Sequence, residues 1–261
     1  MIVYTGSTGS IGSDMPPGPI PLKTRLEESV EQMNKELEEK TSAPFSMIHL
    51  SGLASVMECE RSPEKAYELN VNGSLKWFQA AEGAGCKRFI YVSSAHVFAA
   101  PPKGQSLNIH SPVGPRSVYA KTKLEAETAL KKYSENSKTE LIIARVFSIW
   151  PKLHRPGYLI TNLHIRAQKK DFSPLSGLYN VRDYIKTDEI CKQLVALTEE
   201  PFTPTVLICT GHGRTIQDVA VEVFAEYGLD GHLLKEAAGR PDDIQYIVGT
   251  PYEFKNKQPW S

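Results

Sequence analysis

The sequence predicts an α/β fold in which a doubly wound parallel sheet carries helices on both faces. Three observations support this class. Short apolar runs alternate with segments of helical period, the runs have the continuous apolar character of strands buried on both faces, and a glycine-rich turn follows the first run. The alternation becomes irregular after Trp150-Pro151. We therefore expect the sheet to occupy residues 1–150 and a smaller part, 151–261, to be interleaved with it.

The individual elements follow from the period of their apolar residues. A short strand is predicted at Met1–Tyr4. An amphipathic helix is predicted where apolar residues recur at helical spacing, at Leu26, Val30, Met33 and Leu37. The other predicted strands are Ser46–Leu50, Arg88–Ser93, Glu140–Phe147 and Val206–Cys209. The other predicted helices lie near Pro63–Ala84, at Tyr119–Ser134 and at Thr215–Tyr227. No clear element is predicted for the polar tail, Lys255–Ser261.

Composition excludes several classes of protein. The 261 residues are 41% hydrophobic, and Lys+Arg and Asp+Glu both number 30, so the net charge is zero and argues against a nucleic-acid partner. Four cysteines are scattered without CxxC spacing, which indicates reduced core thiols and neither a metal site nor a disulfide framework. No apolar run reaches the roughly 18 residues of a membrane span. With no signal-peptide pattern at the start, we expect a cytoplasmic protein without a membrane partner.

The glycine-rich turn has the pattern of a cofactor-binding loop. Residues 5–12 read TGSTGSIG directly after the first predicted strand. In a Rossmann-type fold, glycines at this place permit a tight turn and a close approach of the backbone to a pyrophosphate. The alternative is a plain Gly/Ser turn, and the position directly after a strand favours the pyrophosphate.

The residues after the turn depart from that fold. A helix should follow and lead to a second strand, with an acid about 20 residues on that holds the adenosine ribose. Ser13–Pro21 instead contains four prolines and a glycine, which cannot sustain a regular helix. Counting on from Gly12 reaches Glu28 and Glu31, which fall within the amphipathic helix and not at a strand end. We expect the first crossover helix to be shortened or replaced by a loop.

A tyrosine, a lysine and a serine form a candidate reactive group. Tyr119 and Lys123 are four residues apart, so they share one face of the predicted helix. An ammonium near a phenol favours the phenolate, which allows proton exchange. Ser94 follows the strand Arg88–Ser93, and parallel sheets place reactive groups at the carboxyl ends of their strands. The alternatives are a solvated Tyr–Lys pair and a serine that caps a turn.

With these residues placed, the chain resembles the extended short-chain dehydrogenases/reductases. This family contains NAD(P)-dependent sugar-nucleotide epimerases, dehydratases and 4-keto reductases. Each motif is weak alone, but eight occur in the family's order along nearly the whole chain. They are TGSTGSIG, IHLSGLA (HxAA-like), ELNVNGS (NVxGT), RFIYVSSAHVF, PRSVYAKTKLEAE, ARVFSIWP (RxFNxYGP), NVRDYI (RDF/RDY) and GRPDD (RPGD).

The resemblance implies roles for particular residues. Tyr119 would be the catalytic acid/base, Lys123 its electrostatic partner and a ligand of the cofactor ribose, and Ser94 the catalytic hydroxyl that orients the reacting oxygen. The residues that would cradle the pyrophosphate are Gly6, Gly9, Ser10, Ile11 and Gly12, and those that would line the cofactor channel are His49, Leu50, Ser51 and Gly52. The residues that would contact the substrate are Ser94, Ser148, Arg182 and Arg240. The two arginines would bind its diphosphate.

Several positions differ from the family pattern. The stretch from Gly12 to His49 is shorter than usual, consistent with a reduced crossover. Ser148 stands where an asparagine is common, and Trp150-Pro151 replaces Tyr-Gly. Ala95-His96 replaces the Asp-Glu pair of 4,6-dehydratases, which makes dehydration the least expected chemistry.

The resemblance implies an oxidoreductase acting on a nucleotide-linked sugar. A 4-keto sugar reductase is expected first and an epimerase second. A third alternative is a degenerate, non-catalytic member that senses a nucleotide, which the altered crossover favours and the intact Ser94, Tyr119 and Lys123 oppose. The cofactor is NAD or NADP, with a lean to NADP if Lys23 or Arg25 reaches a 2′-phosphate.

The resemblance also implies a homodimer. The family commonly pairs the helix near Pro63–Ala84 with the helix that carries Tyr119. The residues that could supply the apolar contact are Leu69, Leu75, Phe78 and Leu124. The alternative for each of them is packing against its own sheet.

Overall fold

A computed structural model describes residues 1–102, 104–152, 157–238 and 243–255 of the chain. The strands are β1 (Ile2–Thr5), β2 (Ile20–Pro21), β3 (Phe45–His49), β4 (Cys86–Ser94), β5 (Glu140–Val146), β6 (Ser148–Trp150), β7 (Leu175–Ser176), β8 (Val181–Lys186), β9 (Thr205–Ile208), β10 (Gly213–Thr215), β11 (Glu236–Ala237) and β12 (Tyr246–Ile247). The helices are α1 (Val30–Lys40), α2 (Val56–Arg61), α3 (Pro63–Tyr67), α4 (Gly73–Gly83), α5 (Val118–Ser134), α6 (Leu159–Gln168), α7 (Thr187–Ala196) and α8 (Ile216–Ala225).

The central sheet has six strands in the order β2-β1-β3-β4-β5-β9, and every neighbouring pair is parallel. The chain moves outward to one side from β1 to β2 and then to the other side from β3 onward. Between β1 and β3 the connections therefore diverge, and such a switch point opens a crevice at the carboxyl ends of the strands. This confirms the predicted Rossmann-type, doubly wound parallel sheet.

Both faces of the sheet are covered, because side chains of a strand alternate between them. Within β3, Met47 packs in the apolar cluster on the α1 and α4 side, and Ile48 packs in the cluster on the α7 side. The helix predicted to start near Leu26 begins at Val30, because Ser29 caps it with a reciprocal hydrogen-bonded pair to Gln32. The helix predicted near Pro63–Ala84 is divided into α3, a π-helical turn at Glu68–Asn72, and α4.

The first crossover is shortened, as the prolines predicted. A single 3-10 turn at Gly12–Asp14 replaces the helix. The proline segment nevertheless ends in β2, a strand that the sequence did not predict, which pairs with β1 through Val3↔Ile20 and Tyr4↔Pro21. Proline is tolerated there because β2 is an edge strand and needs N–H donors on one side only.

The later residues form a smaller unit that is interleaved with the sheet. Strand β8 pairs with β6, β10 and β12, while α6 and α8 pack together in a separate apolar cluster. Helix α7 and β9 return to the central sheet. The division of the chain at residue 150 into two interleaved parts stays a prediction.

Two of the four residues predicted for a dimer contact are unavailable for it. Leu69 and Phe78 are buried in the cluster on the α1 and α4 side of their own sheet. Leu75 and Leu124 are partly buried against clusters of the same chain. The four cysteines are free and buried, as expected for core thiols.

Across the described ranges, no helix is long and apolar enough to cross a membrane. Within the same residues, no group of three or more His, Cys, Asp or Glu side chains could hold a metal ion.

Candidate active site

A cavity of about 450 Å³ opens at the carboxyl ends of β1, β3, β4 and β5. It lies at the switch point of the sheet, where ligands bind in open α/β folds. The glycine turn after β1 forms one wall, and residues of α5 form another. Arg182 on β8 and the start of α6 at Leu159 close the cavity on the side of the smaller unit. Elements of the central sheet and of the smaller unit thus contribute to one site.

Tyr119 and Ser94 meet in this cavity. Helix α5 starts one residue before Tyr119, because the Ser117 side chain accepts a hydrogen bond from the Ala120 backbone N–H. Burial raises the pKa of the Tyr119 phenol to about 12, and a hydrogen bond from the Ser94 side chain acts in the opposite direction. The Ser94 hydroxyl also accepts a hydrogen bond from the His96 backbone N–H at 3.2 Å. At neutral pH the phenol therefore holds its proton and can donate it.

Lys123 lines the same cavity as Tyr119 and Ser94. Its ammonium donates a 2.6 Å hydrogen bond to the Val92 carbonyl and sits 4.4 Å from the centre of the Tyr91 ring. Burial lowers the pKa of Lys123 to about 8, while the Glu127 carboxylate raises it. Below that pH the lysine is an ammonium one helical turn from Tyr119, where it favours the phenolate that forms after proton donation.

The glycine turn is shaped for a close backbone approach. Gly6 has a φ of +74°, which favours glycine. A Cβ on Gly12 would lie 2.2 Å from the Gly6 carbonyl oxygen, so no side chain fits there. The Ser10 hydroxyl is buried and has no hydrogen-bond partner within the described part of the chain. An orphaned donor in a cradle that a Cβ would fill matches what the pyrophosphate of a dinucleotide requires, so these residues fit such a cofactor.

His49 does not line the cavity, in contrast to the expectation from the sequence. Its ring is fully buried between the Thr5 hydroxyl, 3.0 Å from Nδ1, and the Ser74 hydroxyl, 3.1 Å from Nε2. Burial, and then the charge of Lys123, lower the pKa of His49 to about 3, so the ring is neutral. The imidazole joins β1, β3 and α4 and has a supporting role.

Asn70 is a site residue that sequence reasoning missed. Its side-chain amide binds the Leu53 carbonyl at 3.1 Å and the Thr122 hydroxyl at 3.0 Å, and its oxygen accepts from the Leu53 N–H at 2.7 Å. A Cβ on Gly52 would lie 3.0 Å from the Asn70 oxygen. Asn70 thus fixes the turn at Gly52 against α5. The motif ELNVNGS contained the signal, but the sequence alone did not show what the asparagine contacts.

The opposite end of the cavity holds an arginine. Arg182 lies in the wall, and its guanidinium pairs with Asp243 at 2.9 Å. His96 also lines the cavity, with its ring centre 6.1 Å from that of Tyr119. Ser148 also contributes to the wall. Arg240, which the sequence paired with Arg182, lies outside the described residues.

The cavity therefore gathers most of the residues that the sequence singled out. Those that line it are Gly6, Gly9, Ser10, Ile11, Gly12, Leu50, Gly52, Ser94, Tyr119, Lys123, Ser148 and Arg182. Among the described residues that were expected there, His49 and Ser51 are not part of the lining.

Known proteins are similar to this chain over most of its length. The NAD dependent epimerase/dehydratase family matches residues 28–208. UDP-glucose 4-epimerase 2 of Oryza sativa subsp. japonica is 25% identical over 82% of this chain and 58% of its own length. GDP-6-deoxy-D-mannose reductase of Pseudomonas aeruginosa is 32% identical over 70% of this chain and 63% of its own length. The chain spans 58% to 64% of the length of the first curated relatives.

Solved structures share the fold at low sequence identity. UDP-glucose 4-epimerase from Thermotoga maritima, crystallised with UDP-glucose, superposes with a TM-score of 0.82 at 19% identity, covering 96% of this chain and 89% of that one. The protein RMD from Pseudomonas aeruginosa, complexed with NADPH, gives a TM-score of 0.82 at 18% identity, covering 95% and 89%. Identities this low establish a common fold.

Proposed function

Because the chain belongs to the NAD dependent epimerase/dehydratase family, we propose that it is an NAD(P)-dependent oxidoreductase acting on a nucleotide-linked sugar, and specifically a 4-keto sugar reductase. The observation that carries this proposal is the meeting of the Tyr119 phenol, the Ser94 hydroxyl and the Lys123 ammonium in the cavity that the glycine turn borders. The 32% identity to a GDP-6-deoxy-D-mannose reductase supports the choice of a reductase.

In this proposal Ser94, Tyr119 and Lys123 have different roles in one proton transfer. Ser94 hydrogen-bonds the carbonyl oxygen of the sugar and sets its direction toward Tyr119. Tyr119 donates its proton to that oxygen as the carbonyl becomes an alcohol, and the Lys123 ammonium stabilises the resulting phenolate. A proton from solvent then restores the phenol. The nicotinamide ring, when bound, supplies the hydride that the carbonyl carbon receives.

The remaining residues bind and orient. The backbone of Gly9–Gly12 and the Ser10 hydroxyl hold the cofactor pyrophosphate, and Lys123 also reaches the cofactor ribose. Arg182, and Arg240 on the evidence of the sequence, bind the diphosphate of the substrate with guanidinium forks. Ser148 contacts the sugar between these two ends. The substrate would thus span the cavity from Tyr119 to Arg182.

An epimerase is the second candidate, and the relatives named UDP-glucose 4-epimerase favour it. The same three side chains can work in both directions, removing a proton while the sugar is oxidised and returning it after reduction. The two functions differ in stoichiometry. A reductase consumes one reduced cofactor per sugar, whereas an epimerase shows no net consumption.

The test is a turnover assay over a panel of 4-keto and 4-hydroxy nucleotide sugars. Absorbance at the reduced-nicotinamide band follows cofactor consumption, and NMR identifies the sugar product. The reductase proposal expects equimolar loss of cofactor and keto sugar, slowed by about 10²–10⁴-fold in the Tyr119→Phe variant. Interconversion of sugars without cofactor loss would replace it with the epimerase. Thermal stabilisation by a nucleotide sugar with no turnover in any mixture would instead support a non-catalytic sensor.

A further inference from the structure

A buried carboxylate lies directly behind the candidate active site. Glu127 is 1% exposed. One oxygen accepts hydrogen bonds from the Ser93 hydroxyl at 2.6 Å and from Nε of Arg145 at 3.0 Å, and the other accepts from a terminal nitrogen of Arg145 at 2.7 Å. The Arg145 guanidinium in turn stacks 4.7 Å from the centre of the Phe98 ring. A buried ion pair of this kind is tolerated because the two side chains share two hydrogen bonds that satisfy both carboxylate oxygens.

The position of this pair links three elements that carry the site. Ser93 on β4 and Arg145 on β5 are partners in register across the sheet, so Glu127 bridges α5 to both strands at their carboxyl ends. Ser93 directly precedes Ser94. Glu127 follows Lys123 by four residues, as Lys123 follows Tyr119, so the three side chains share one face of α5. The bridge therefore sets the distance between the helix of Tyr119 and the strand of Ser94.

The same carboxylate dominates the charge around Lys123. The titratable groups that face the ammonium are His49 on β3, Cys59 on α2, Tyr91 on β4, and Tyr119 and Glu127 on α5. Burial lowers the pKa of His49 to about 3 and raises the pKa of Cys59 to about 11, so both are neutral near pH 7. The pKa of both phenols is raised by burial too, so they are uncharged. Among these described groups, Glu127 is the one that carries charge.

We propose that Glu127 is a positioning residue of the site: it fixes α5 against the ends of β4 and β5, and its charge keeps Lys123 an ammonium. The inference rests on the proposed function only for what the ammonium does in turnover. The sheet also supplies a matched comparison, because a second Arg–Glu pair joins the same two strands at their opposite ends. There Arg88 on β4 donates a 2.7 Å hydrogen bond to Glu140 on β5. This pair lies at the amino ends of the two strands, and the cavity lies at their carboxyl ends.

The test is the titration of Lys123 in the Glu127→Gln variant, followed by NMR of protein labelled with ¹³C at the lysine ε carbon. The Lys123 signal is assigned by its loss in Lys123→Met. Without the carboxylate, and with Arg145 left uncompensated, the ammonium is less favoured, so its midpoint should move down by about one pH unit. The variant Glu140→Gln breaks the comparison pair and should leave the midpoint unchanged. If Glu127→Gln does not fold, Glu127→Gln/Arg145→Met removes both charges and is titrated instead.

Turnover provides a second readout wherever activity is found. The alkaline limb of the kcat/KM profile should move down with the Lys123 midpoint in Glu127→Gln, while KM changes by less than about threefold. An unchanged midpoint in a folded Glu127 variant, with stability lost as in Glu140→Gln, would overturn the inference and leave the pair a purely structural one. The titration uses neither substrate nor cofactor. A protein with no reductase activity would thus refute the proposed function without deciding this inference.

Discussion

The Tyr119 phenol is the single group whose removal tests the proton chemistry of the site. Tyr119→Phe deletes the donor oxygen and keeps the ring that packs near His96. Since general acid catalysis is typically worth about 10²–10⁴-fold, we expect kcat to fall by that factor. Cofactor affinity and Tm should stay near those of the wild type. Retention of more than about a tenth of the wild-type kcat on the true substrate would remove Tyr119 from its assigned role.

The ionisation of Lys123 predicts the pH dependence of the free enzyme. Burial lowers the pKa of Lys123 to about 8, so the ammonium is present below that pH and lost above it. Because the ammonium stabilises the phenolate, kcat/KM should decline as pH rises through 8. Lys123→Met should be slow at every pH and lack this decline. A wild-type profile that is flat until about pH 10, where an ordinary lysine titrates, would contradict the prediction.

At this scale the sequence was most informative where the chemistry is local. Tyr119 and Lys123 lie one helical turn apart, and Ser94 ends a strand, so local pattern made them candidates and the family resemblance supplied their roles. His49 could not be placed in the same way, because its partner Ser74 is 25 residues distant. The bonds of Asn70 to Leu53 and Thr122 also join residues that are remote in sequence. Long-range side-chain pairs of this kind leave no local pattern to detect.

Among the elements, the shortened crossover has the largest consequence for cofactor binding. The 3-10 turn at Gly12–Asp14 has three residues and offers little helix dipole to a pyrophosphate. Among residues 13–25, all of which the structure describes, none lines the cavity. Behind β2, the backbone N–H groups of Lys23 and Thr24 are held by the Glu36 carboxylate at 2.7 and 2.8 Å. The adenosine end of a cofactor would therefore rest on an open surface.

This geometry predicts weak binding and poor discrimination between NADH and NADPH. Lys23 and Arg25 are exposed just beyond β2, so any preference should favour the 2′-phosphate of NADPH. Calorimetric titration of both cofactors measures it, and Lys23→Ser/Arg25→Ser should remove the preference. Lys35→Ser, an exposed lysine on α1, is the control and should not.

The contrary result would be a tight isotherm that strongly favours NADH. It would mean that an acid holds the ribose 2′-hydroxyl, and Glu36 is the acid that the structure brings to the end of β2. The sequence could not indicate this, because Glu36 belongs to α1 and meets the strand only in the folded chain. Burial raises the pKa of the Glu36 carboxyl, but hydrogen bonds from Lys40 and from the backbone near β2 together outweigh burial. They lower the pKa to about 2.

For the whole molecule, we predict a homodimer, because the extended short-chain dehydrogenases/reductases that the sequence resembles commonly form one. Leu69 and Phe78 are committed to their own core, so the contact must use other residues of the same helices. Tyr67 on α3 is 45% exposed and could provide it, together with Met57 on the neighbouring α2, which is 57% exposed. Light scattering at micromolar concentration should give twice the mass of 29.0 kDa. Tyr67→Glu should shift it toward the monomer.

A matched substitution away from these helices controls for the added charge. Tyr179, between β7 and β8, is 65% exposed, and Tyr179→Glu should leave the mass unchanged. A monomeric wild type at the same concentration would refute the dimer.

The central sheet was predictable from the sequence, whereas the smaller unit was not. Strands such as Cys86–Ser94 and Glu140–Val146 are buried on both faces, and their continuous apolar character separates them from the helices between them. The strands around β8 are two to six residues long and pair across wide separations in sequence. Strand β2 was not predicted, because the prolines in and before it argue against a strand in a sequence pattern. Fold class and reactive residues therefore follow from local pattern, and the substrate side depends on contacts that only the folded chain makes.

Transfer of a labelled hydride tests the proposed reaction most directly. NADPH carrying deuterium at the transferable nicotinamide position is incubated with the protein and a 4-keto nucleotide sugar, and the product is examined by NMR and mass spectrometry. The proposal predicts one deuterium per product molecule, at the former carbonyl carbon, and product formation about 10²–10⁴-fold slower with Tyr119→Phe. A product without deuterium, or an unchanged keto sugar in the presence of bound NADPH, would contradict the assignment of the chain as a reductase.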